Sequence, residues 1–359
     1  GLDGVTVITP DFKADVLHAH NRLVFTSRPS LISFESFLPR RFALTERNPL
    51  ARAMERHIRR NSVRRLVAMS HFAARIFRKQ HRDAPGFEAL DAKLMVRHPA
   101  LEIGEAEDRM DLAAGGPLRL LFVGAHFARK GGCVAARMAQ LAAERKLPLE
   151  VVVISSMQMG GGIWTDPVDP EVYAPYLKAL EGPNVTVMGA QPNAVVRAEL
   201  GRSHFSLLAT LADTFGYSAI ESMAEHTPVI GTEICALPEF ITDGVNGLTL
   251  PLDSNDVGQW AHLDHTQLGE ASYAKRFCET VDQLAETALA RLAPYFEAPE
   301  RLAPLRAEAR RTAVTRFDAA ASDAAWDALY SQIATEDPRT TPKVLPGDYL
   351  SPERYAPGG

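Results

Sequence analysis

The chain has 359 residues, 46% of them hydrophobic and 23% charged. These are the proportions of a globular protein, so wholesale disorder, collagen-like and coiled-coil organisation are excluded. At about 150 residues per domain the length suggests two domains, with a single large α/β unit as the fallback, and no apolar run reaches the ~18 residues a spanning helix needs. Cys133, Cys235 and Cys278 are far apart and in no metal or redox spacing, and residues 1–10 carry no secretory pattern, which reads as a cytoplasmic protein with reduced thiols.

The net charge of −5 conceals an asymmetry. From Arg22 to Arg82 fifteen Arg or Lys face three acids, Glu35, Glu46 and Glu55, giving a segment of +12 that leaves −17 for the rest. Such a lobe is the footprint of an anionic partner, whether a membrane surface, a phosphorylated or carboxylated acceptor, or nucleic acid; the alternative is a solvated Arg-rich helix surface. Nucleic acid is the weakest of these, because interleaved aromatics such as Phe37, Phe42, Phe72 and Phe77 are few and no recognition module matches.

In chain order, short apolar or β-branched runs predict strands at 5–9, 16–20, 31–34, 66–69 and 93–97, with a basic helix around residues 50–61. A linker containing Glu102, Glu105, Glu107, Asp108 and Asp111 ends in Gly115-Gly116-Pro117. A second series follows, with strands at 118–123, 149–154, 185–188, 205–208, 229–231 and 248–250. Helical spacing runs through Val134, Met138 and Leu141, and again through Ile220, Met223 and Ala224. From Asp256 the pattern is helical, Trp326, Leu329 and Ile333 form an apolar stripe, and the proline-rich residues 335–359 read as an extended tail. Continuous rather than alternating apolar strands imply sheets covered on both faces, hence parallel, doubly wound α/β units, two of them flanking a cleft. The expected organisation is an N-terminal domain at 1–112, a C-terminal domain at 113–308, a helix at 309–334 packing back on the first domain, and a tail at 335–359.

Ligands of open α/β sheets sit beyond the carboxyl ends of the strands. After the strand at 118–123 comes Gly124-Ala125-His126-Phe127-Ala128-Arg129-Lys130-Gly131-Gly132, then a helix. Its spacing fits neither a Walker A loop nor G-x-G-x-x-G. Two cations on a Gly-edged turn at a helix N-terminus suit a diphosphate, and the bland reading is an exposed basic turn. After the strand at 205–208 comes Asp213-Thr214-Phe215-Gly216-Tyr217-Ser218-Ala219-Ile220-Glu221, which puts Asp213 before a helix and Glu221 about one turn into it. Carboxylates for vicinal hydroxyls beside free amides describe a nucleotide-sugar site; otherwise Asp213 is a cap and Glu221 a solvated helix residue. His18-x-His20 and His262-x-x-His265 lack a third ligand at a recognisable spacing and read as structural histidines.

The run from Phe122 to Pro251 resembles the donor-binding domain of retaining GT-B glycosyltransferases of the family 4 type (glycosyl transferases group 1). That family's signature is E-x-F-G with a second Glu eight residues after the first, then E-A-M-A-x-G-x-P-V and P-E-x-x-x-D-G-x-N-G. Here it reads Asp213-Thr214-Phe215-Gly216, Glu221-Ser222-Met223-Ala224, Thr227-Pro228-Val229, Pro238-Glu239, Asp243-Gly244 and Asn246-Gly247. Phe122-Val123-Gly124 with Arg129-Lys130-Gly131 resembles the phosphate loop, and Asp15-Val16-Leu17-His18-Ala19-His20 a strand of the acceptor domain.

The resemblance implies a retaining hexosyltransferase with two Rossmann-like domains. Its donor site would comprise Gly124, Arg129, Lys130, Asp213, Phe215, Gly216, Tyr217, Ser218 and Glu221. In it Glu221 holds the ribose hydroxyls, Asp213 contacts the transferred sugar, Lys130 and Arg129 neutralise the diphosphate, and amides of 215–218 line the sugar and phosphates. No cofactor and no metal is expected. The catalytic candidates are Lys130, Asp213 and Glu35, and the acceptor side carries His20 and Glu35. Glu35 stands where the family often has a His, and contacts the donor sugar, receives the acceptor's proton, or simply pairs with an arginine. Three departures stand out: Asp213 replaces a Glu, Ala125 occupies a frequent Arg position, and the first domain is abbreviated, without its Gly-rich strand-loop. The expected partners are a nucleoside-diphosphate sugar, a glycan or lipid-linked acceptor of the cell envelope, and an anionic membrane surface touched by the Arg22–Arg82 segment, which would place the protein at the inner face of the membrane. The alternatives are a nucleotide-sugar epimerase of similar fold and a donor-binding scaffold without turnover.

Overall fold

The computed structural model describes residues 5–6, 13–41, 44–45, 47–105, 107–108, 110–112, 115–337 and 339–340. It divides into one unit of residues 1–102 and 318–359 and a second of residues 103–317.

In the first unit the strands are β1 (Val5–Thr6), β2 (Leu17–His20), β3 (Leu23–Val24), β4 (Ser30–Phe34), β5 (Val63–Ala68) and β6 (Leu94–Val96), with helices α1 (Pro49–Ile58), α2 (His71–His81) and α3 (Phe87–Asp91). β2, β4, β5 and β6 form a parallel sheet in that order, and β1 pairs with β3. Successive strand residues face opposite sides, and here both sides are apolar. Ile32, Phe34, Leu66, Ala68, Leu94 and Val96 bury against Met54, Ile58, Ala73 and Phe77 from α1 and α2. Leu31, Val67 and Met95 face the other way.

The second unit contains β7 (Leu118–Val123), α4 (Gly132–Glu144), β8 (Leu149–Ile154), α5 (Ala174–Ala179), β9 (Val185–Val187), α6 (Asn193–Gly201), β10 (Phe205–Leu208), α7 (Tyr217–Ala224), β11 (Val229–Thr232), β12 (Gly247–Leu250), α8 (Ala271–Glu297) and α9 (Leu302–Phe317). Its six strands are all parallel. Leu121, Val152 and Ile154 meet Val196 and Leu200 of α6 on one face, while α4 covers β8 and contacts α8 on the other.

The last helix, α10 (Ala319–Thr335), belongs to the first unit: its Leu329 and Ile333 cover Leu31, Val67 and Met95. Just beyond it, Glu336 bonds both Arg64 and Arg65, which are 1% and 0% exposed, and the Thr340 carbonyl accepts from Arg64.

The division between units falls after Glu102 and after Phe317, against the expected 112 and 308. Arg306 of α9 is buried and donates to the Asp108 carboxylate and the Ser203 carbonyl, which ties both the acidic linker and α9 to the second unit. Phe317 closes that helix edge-on to Phe215 and Phe240. The helical pattern read from Asp256 becomes helix only at Ala271, because Asn255 and Asp264 turn their side chains onto nearby backbone N–H groups. The 237–239 stretch is a single 3-10 turn. Residues 7–9 of the first predicted strand, and residues 338 and 341–359 of the expected tail, lie outside the described residues.

Candidate functional site

Numbered within the second unit, its strands lie in the order 3-2-1-4-5-6, with the chain direction of the sheet reversing between β7 and β10. A crevice opens beyond the carboxyl ends of the strands at such a point, where ligands of doubly wound sheets sit. The loops that border it are 124–131 after β7 and 209–216 after β10, the two segments that carry the sequence motifs.

These loops approach so closely that one position admits only glycine. Gly131 has φ +99°, and a Cβ there would lie 2.6 Å from the Ala209 carbonyl oxygen. Gly131 and Gly216 are the N-caps of α4 and α7, and neither helix start has a side-chain cap. Two sets of first-turn amides therefore present partial positive charge at the crevice.

Lys130 and Asp213 form an ion pair across the switch point, the two side chains being 18% and 7% exposed. Asp213 also accepts the Thr214 N–H at 2.8 Å, and the N-cap of the following helix is Gly216, so Asp213 is not its cap. Glu221 lies one turn into α7. Burial raises its carboxyl pKa, opposed by Arg197 and Lys130. Lys130 thus faces both carboxyl groups that the sequence singled out.

Two other donor-site candidates have side chains turned onto the protein. Arg129 turns beneath the loop: its Nη1 donates to the Ala212 carbonyl at 3.2 Å, and its Nε is buried with no hydrogen-bond partner among the described residues. The Phe215 ring is fully buried, stacked on Phe240, which leaves only its backbone to border the crevice. Gly124 lies tight against the Lys130 stem, where a Cβ would stand 3.1 Å from it. Tyr217 is 43% exposed at the start of α7, beside the half-buried Ser218.

Two residues outside the sequence-derived site join it. Asp166 is fully buried in the loop after β8, where it accepts from the Gly160 N–H and the Thr165 hydroxyl. Burial pushes its carboxyl up to about 6, with Arg129 acting in the opposite direction. No spacing signals it, since only the fold brings residue 166 to residue 129. His126 lies inside the loop after β7, and its spacing alone gives it no role. Burial, Arg129 and Lys130 hold its imidazole below the usual range, with Asp213 acting oppositely, so it borders the same ion pair.

In the first unit, His20 and Glu35 share a hydrogen-bonded chain at the carboxyl ends of β2 and β4. His18 bonds the Tyr330 hydroxyl and Ser33 Oγ, His20 Nδ1 also bonds Ser33 Oγ, and Asn21 Nδ2 bonds His20 Nε2 and Glu35. Arg40 pairs with Glu35 at 2.5 Å. His18 and His20 are thus occupied by hydroxyl and amide partners. Among the described residues, no group of three or more His, Cys, Asp or Glu is placed to hold a metal ion. All three cysteines are free thiols, and no helix of the described residues is long and apolar enough to cross a membrane.

Residues 117–262 match the family described as Glycosyl transferases group 1. Three curated D-inositol 3-phosphate glycosyltransferases, from Mycobacterium sp. strains KMS, JLS and MCS, are 41% identical to this chain over 51 residues, a stretch that spans 14% of this chain and 11% of each relative. Among solved structures, a glycosyltransferase from Rickettsia africae ESF-5 superposes with a TM-score of 0.60 at 13% identity, over 90% of this chain and 78% of the other. HepE of Anabaena in complex with UDP and glucose gives 0.57 at 14% identity, over 88% and 77%. A sucrose-phosphate synthase from Thermosynechococcus elongatus gives 0.57 at 15% identity, over 89% and 73%. At these identities the likeness is one of fold: two parallel-sheet, Rossmann-like α/β domains, as in GT-B glycosyltransferases. The loops that carry Lys130, Asp213 and Glu221 thus lie inside a glycosyl transferases group 1 domain at residues 117–262.

Proposed function

We propose that the protein is a retaining glycosyltransferase that moves a hexose from a nucleoside-diphosphate sugar to a hydroxyl of a glycan or lipid-linked acceptor. The observation that carries this reading is the Lys130–Asp213 pair at the switch point, inside the matched domain and between two uncapped helix N-termini. Lys130 and the first amides of α4 offset the charge that develops on the departing diphosphate, and in many transfer reactions such preorganised donors contribute more to the rate than any other single effect. Asp213 takes the hydroxyls of the transferred sugar and Glu221 those of the ribose. Retention follows from attack on the face the diphosphate leaves, with no enzyme nucleophile, and turnover needs no divalent metal. UDP is the first donor base to try, since a solved structure of the same fold is a complex with UDP and glucose.

The acceptor side is the polar edge around His20 and Glu35. A cell-envelope acceptor at the inner face of the membrane fits a first unit whose α2 exposes Arg75 and Lys79, followed by exposed Arg82, and which also exposes Phe25 and Phe37.

The test is a thermal-shift panel with UDP, GDP, ADP, TDP and CMP, followed by a product assay with the sugar conjugates of whichever base binds. One diphosphate should raise the melting temperature in the wild type, and Glu221→Ala should weaken that binding about tenfold or more. Chelation with EDTA should leave turnover unchanged. Absence of any shift at millimolar nucleotide overturns the donor site, and binding without transfer to any acceptor turns the reading to a donor-binding scaffold.

A further inference from the structure

The charges around the switch point are unbalanced for a diphosphate. Lys130, Arg129 and Arg197 of α6, the last of them paired with Glu225, face three further carboxyl groups: Asp213 in the loop after β10, Glu221 on α7 and Asp166 in the loop after β8. Lys130 is paired with Asp213, and Arg129 is turned inward between Ala212 and the neighbourhood of Asp166. A nucleoside-diphosphate sugar brings two further negative charges to this place. The helix N-termini offset part of them through partial charges that are worth about 0.5 elementary charge each, and no formally charged side chain of the loop remains to offset the rest.

His126 is the titratable group that remains. Its loop is held rigidly: the Phe127 N–H donates to the Gln158 carbonyl at 2.7 Å and the Gln158 N–H to the Ala125 carbonyl at 3.0 Å, so residues 125–127 are pinned to the segment after β8. The imidazole is partly buried, and its Nδ1 is enclosed with no hydrogen-bond partner among the described residues. A neutral imidazole carries one proton. Leaving an N–H buried without an acceptor costs about 1–3 kcal/mol, so the proton belongs on Nε2, the nitrogen that is not enclosed. A second proton on the ring is disfavoured first by burial and then by Arg129 and Lys130 beside it, with Asp213 acting in the opposite direction. An anion placed against Lys130 reverses that sign, and the second proton then becomes favourable.

We infer that His126 is a ligand of the donor diphosphate, donating from Nε2, and that donor binding draws a proton onto its ring. The inference rests on the donor-site reading above. It makes proton and nucleotide sugar mutual effectors: each strengthens the other's binding by the same factor. Bound donor raises the imidazole's pKa, so the added affinity is absent above the pKa of the complex and grows as the pH falls toward that of the free site. The same proton follows the leaving group's charge, since the diphosphate gains negative charge as the glycosidic bond breaks and the imidazolium beside it compensates.

The experiment is calorimetric titration of the full chain with UDP-glucose, GDP-mannose and ADP-glucose from pH 5.5 to 8.5, in two buffers of different ionisation heat. Intact nucleotide sugars are the right probes because their diphosphate is esterified at both ends and does not itself titrate in this range. In the wild type, affinity for the sugar nucleotide that binds should rise at least about fivefold from pH 8 to pH 6, with net proton uptake in the buffer comparison. His126→Gln, which keeps an N–H at the position of Nε2 but cannot titrate there, should bind with a flat pH profile and no extra proton uptake. His126→Ala should be flat and weaker at pH 6. A wild type without pH dependence, or His126→Gln with the wild-type slope, overturns the inference. In either case loss of binding in Lys130→Ala and Glu221→Ala would leave the donor site itself standing. If none of the three probes binds the wild type at any pH, the donor site falls and this inference with it.

Discussion

In the first unit Arg64 and Arg65 are buried and both reach the single carboxylate of Glu336, Arg41 pairs with Glu55, Arg40 with Glu35, and Arg59 donates to the Pro85 and Gly86 carbonyls. In the second unit the basic loop after β7 spends one cation on Asp213 and leaves two buried nitrogens, His126 Nδ1 and Arg129 Nε, without partners among the described residues. Fifteen basic residues in one segment therefore deliver much less free positive field than their number implies, because part of that charge is the mortar of the fold. The three basic groups of the nine-residue loop after β7 have fewer such partners and stand beside two helix N-termini that carry no side-chain cap. Whether a positive charge is structural or functional depends on the partners that the fold gives it.

The largest effect that tests this contrast is on stability. Glu336→Ala leaves two fully buried arginines without their carboxylate, and losing one side of a buried ion pair costs about 3–5 kcal/mol, read as a shift in the urea midpoint. An unchanged midpoint would mean that these arginines are not structural. Next comes chemistry: Lys130→Ala should lower kcat about 10²–10³-fold, as loss of one charge-stabilising donor does, beyond the loss of stability that follows from leaving buried Asp213 without its partner. A fall in stability without a fall in kcat would reverse the assignment and make Lys130 mortar as well.

A third test concerns Asp166. Its carboxyl titrates near 6 in the folded chain, above the ordinary ~3.9 of the unfolded one. The protonated form is thus favoured by folding, and that stabilisation is complete below about pH 4 and lost as the pH rises through 6. Asp166→Asn removes the titration, so the variant should gain on the wild type by up to about 2 kcal/mol between pH 4 and pH 7. A difference independent of pH would show that Arg129 holds the carboxylate ionised throughout. The smallest effect belongs to the outer face of α2. Arg75→Glu and Lys79→Glu should each weaken sedimentation with vesicles rich in anionic lipid by about 1 kcal/mol, in a salt-dependent way. Equal retention on neutral vesicles would remove the membrane from the account.

The strands of the second sheet were legible to the residue at 118–123, 149–154 and 205–208, because both faces of each are covered and the apolar run is continuous. The first unit was harder to read. Its β5 begins Val63-Arg64-Arg65, all buried, and no hydropathy pattern marks two arginines as strand interior when the acid that pairs them lies more than 270 positions away. The same reasoning separates the motifs. Lys130, Asp213 and Glu221 can be singled out from local spacing, since one loop and one helix turn fix their positions. The bond that Arg129 donates to the Ala212 carbonyl has no local signal, because the loop after β10 comes to it only when the sheet is assembled.

By itself the sequence determined two parallel α/β units, the strands of the second sheet, and which loops leave its carboxyl edge, since these follow from the period of apolar residues and from glycines at fixed places. Only the tertiary structure decided that β7 and β10 are neighbours, that their loops meet at Gly131 and Ala209, and that Asp166 and His126 join the same site. It also decided that much of the basic segment is consumed by carboxylates and carbonyls. Pairing, burial and the solvation of a charge depend on residues distant in the chain, and no local pattern records them.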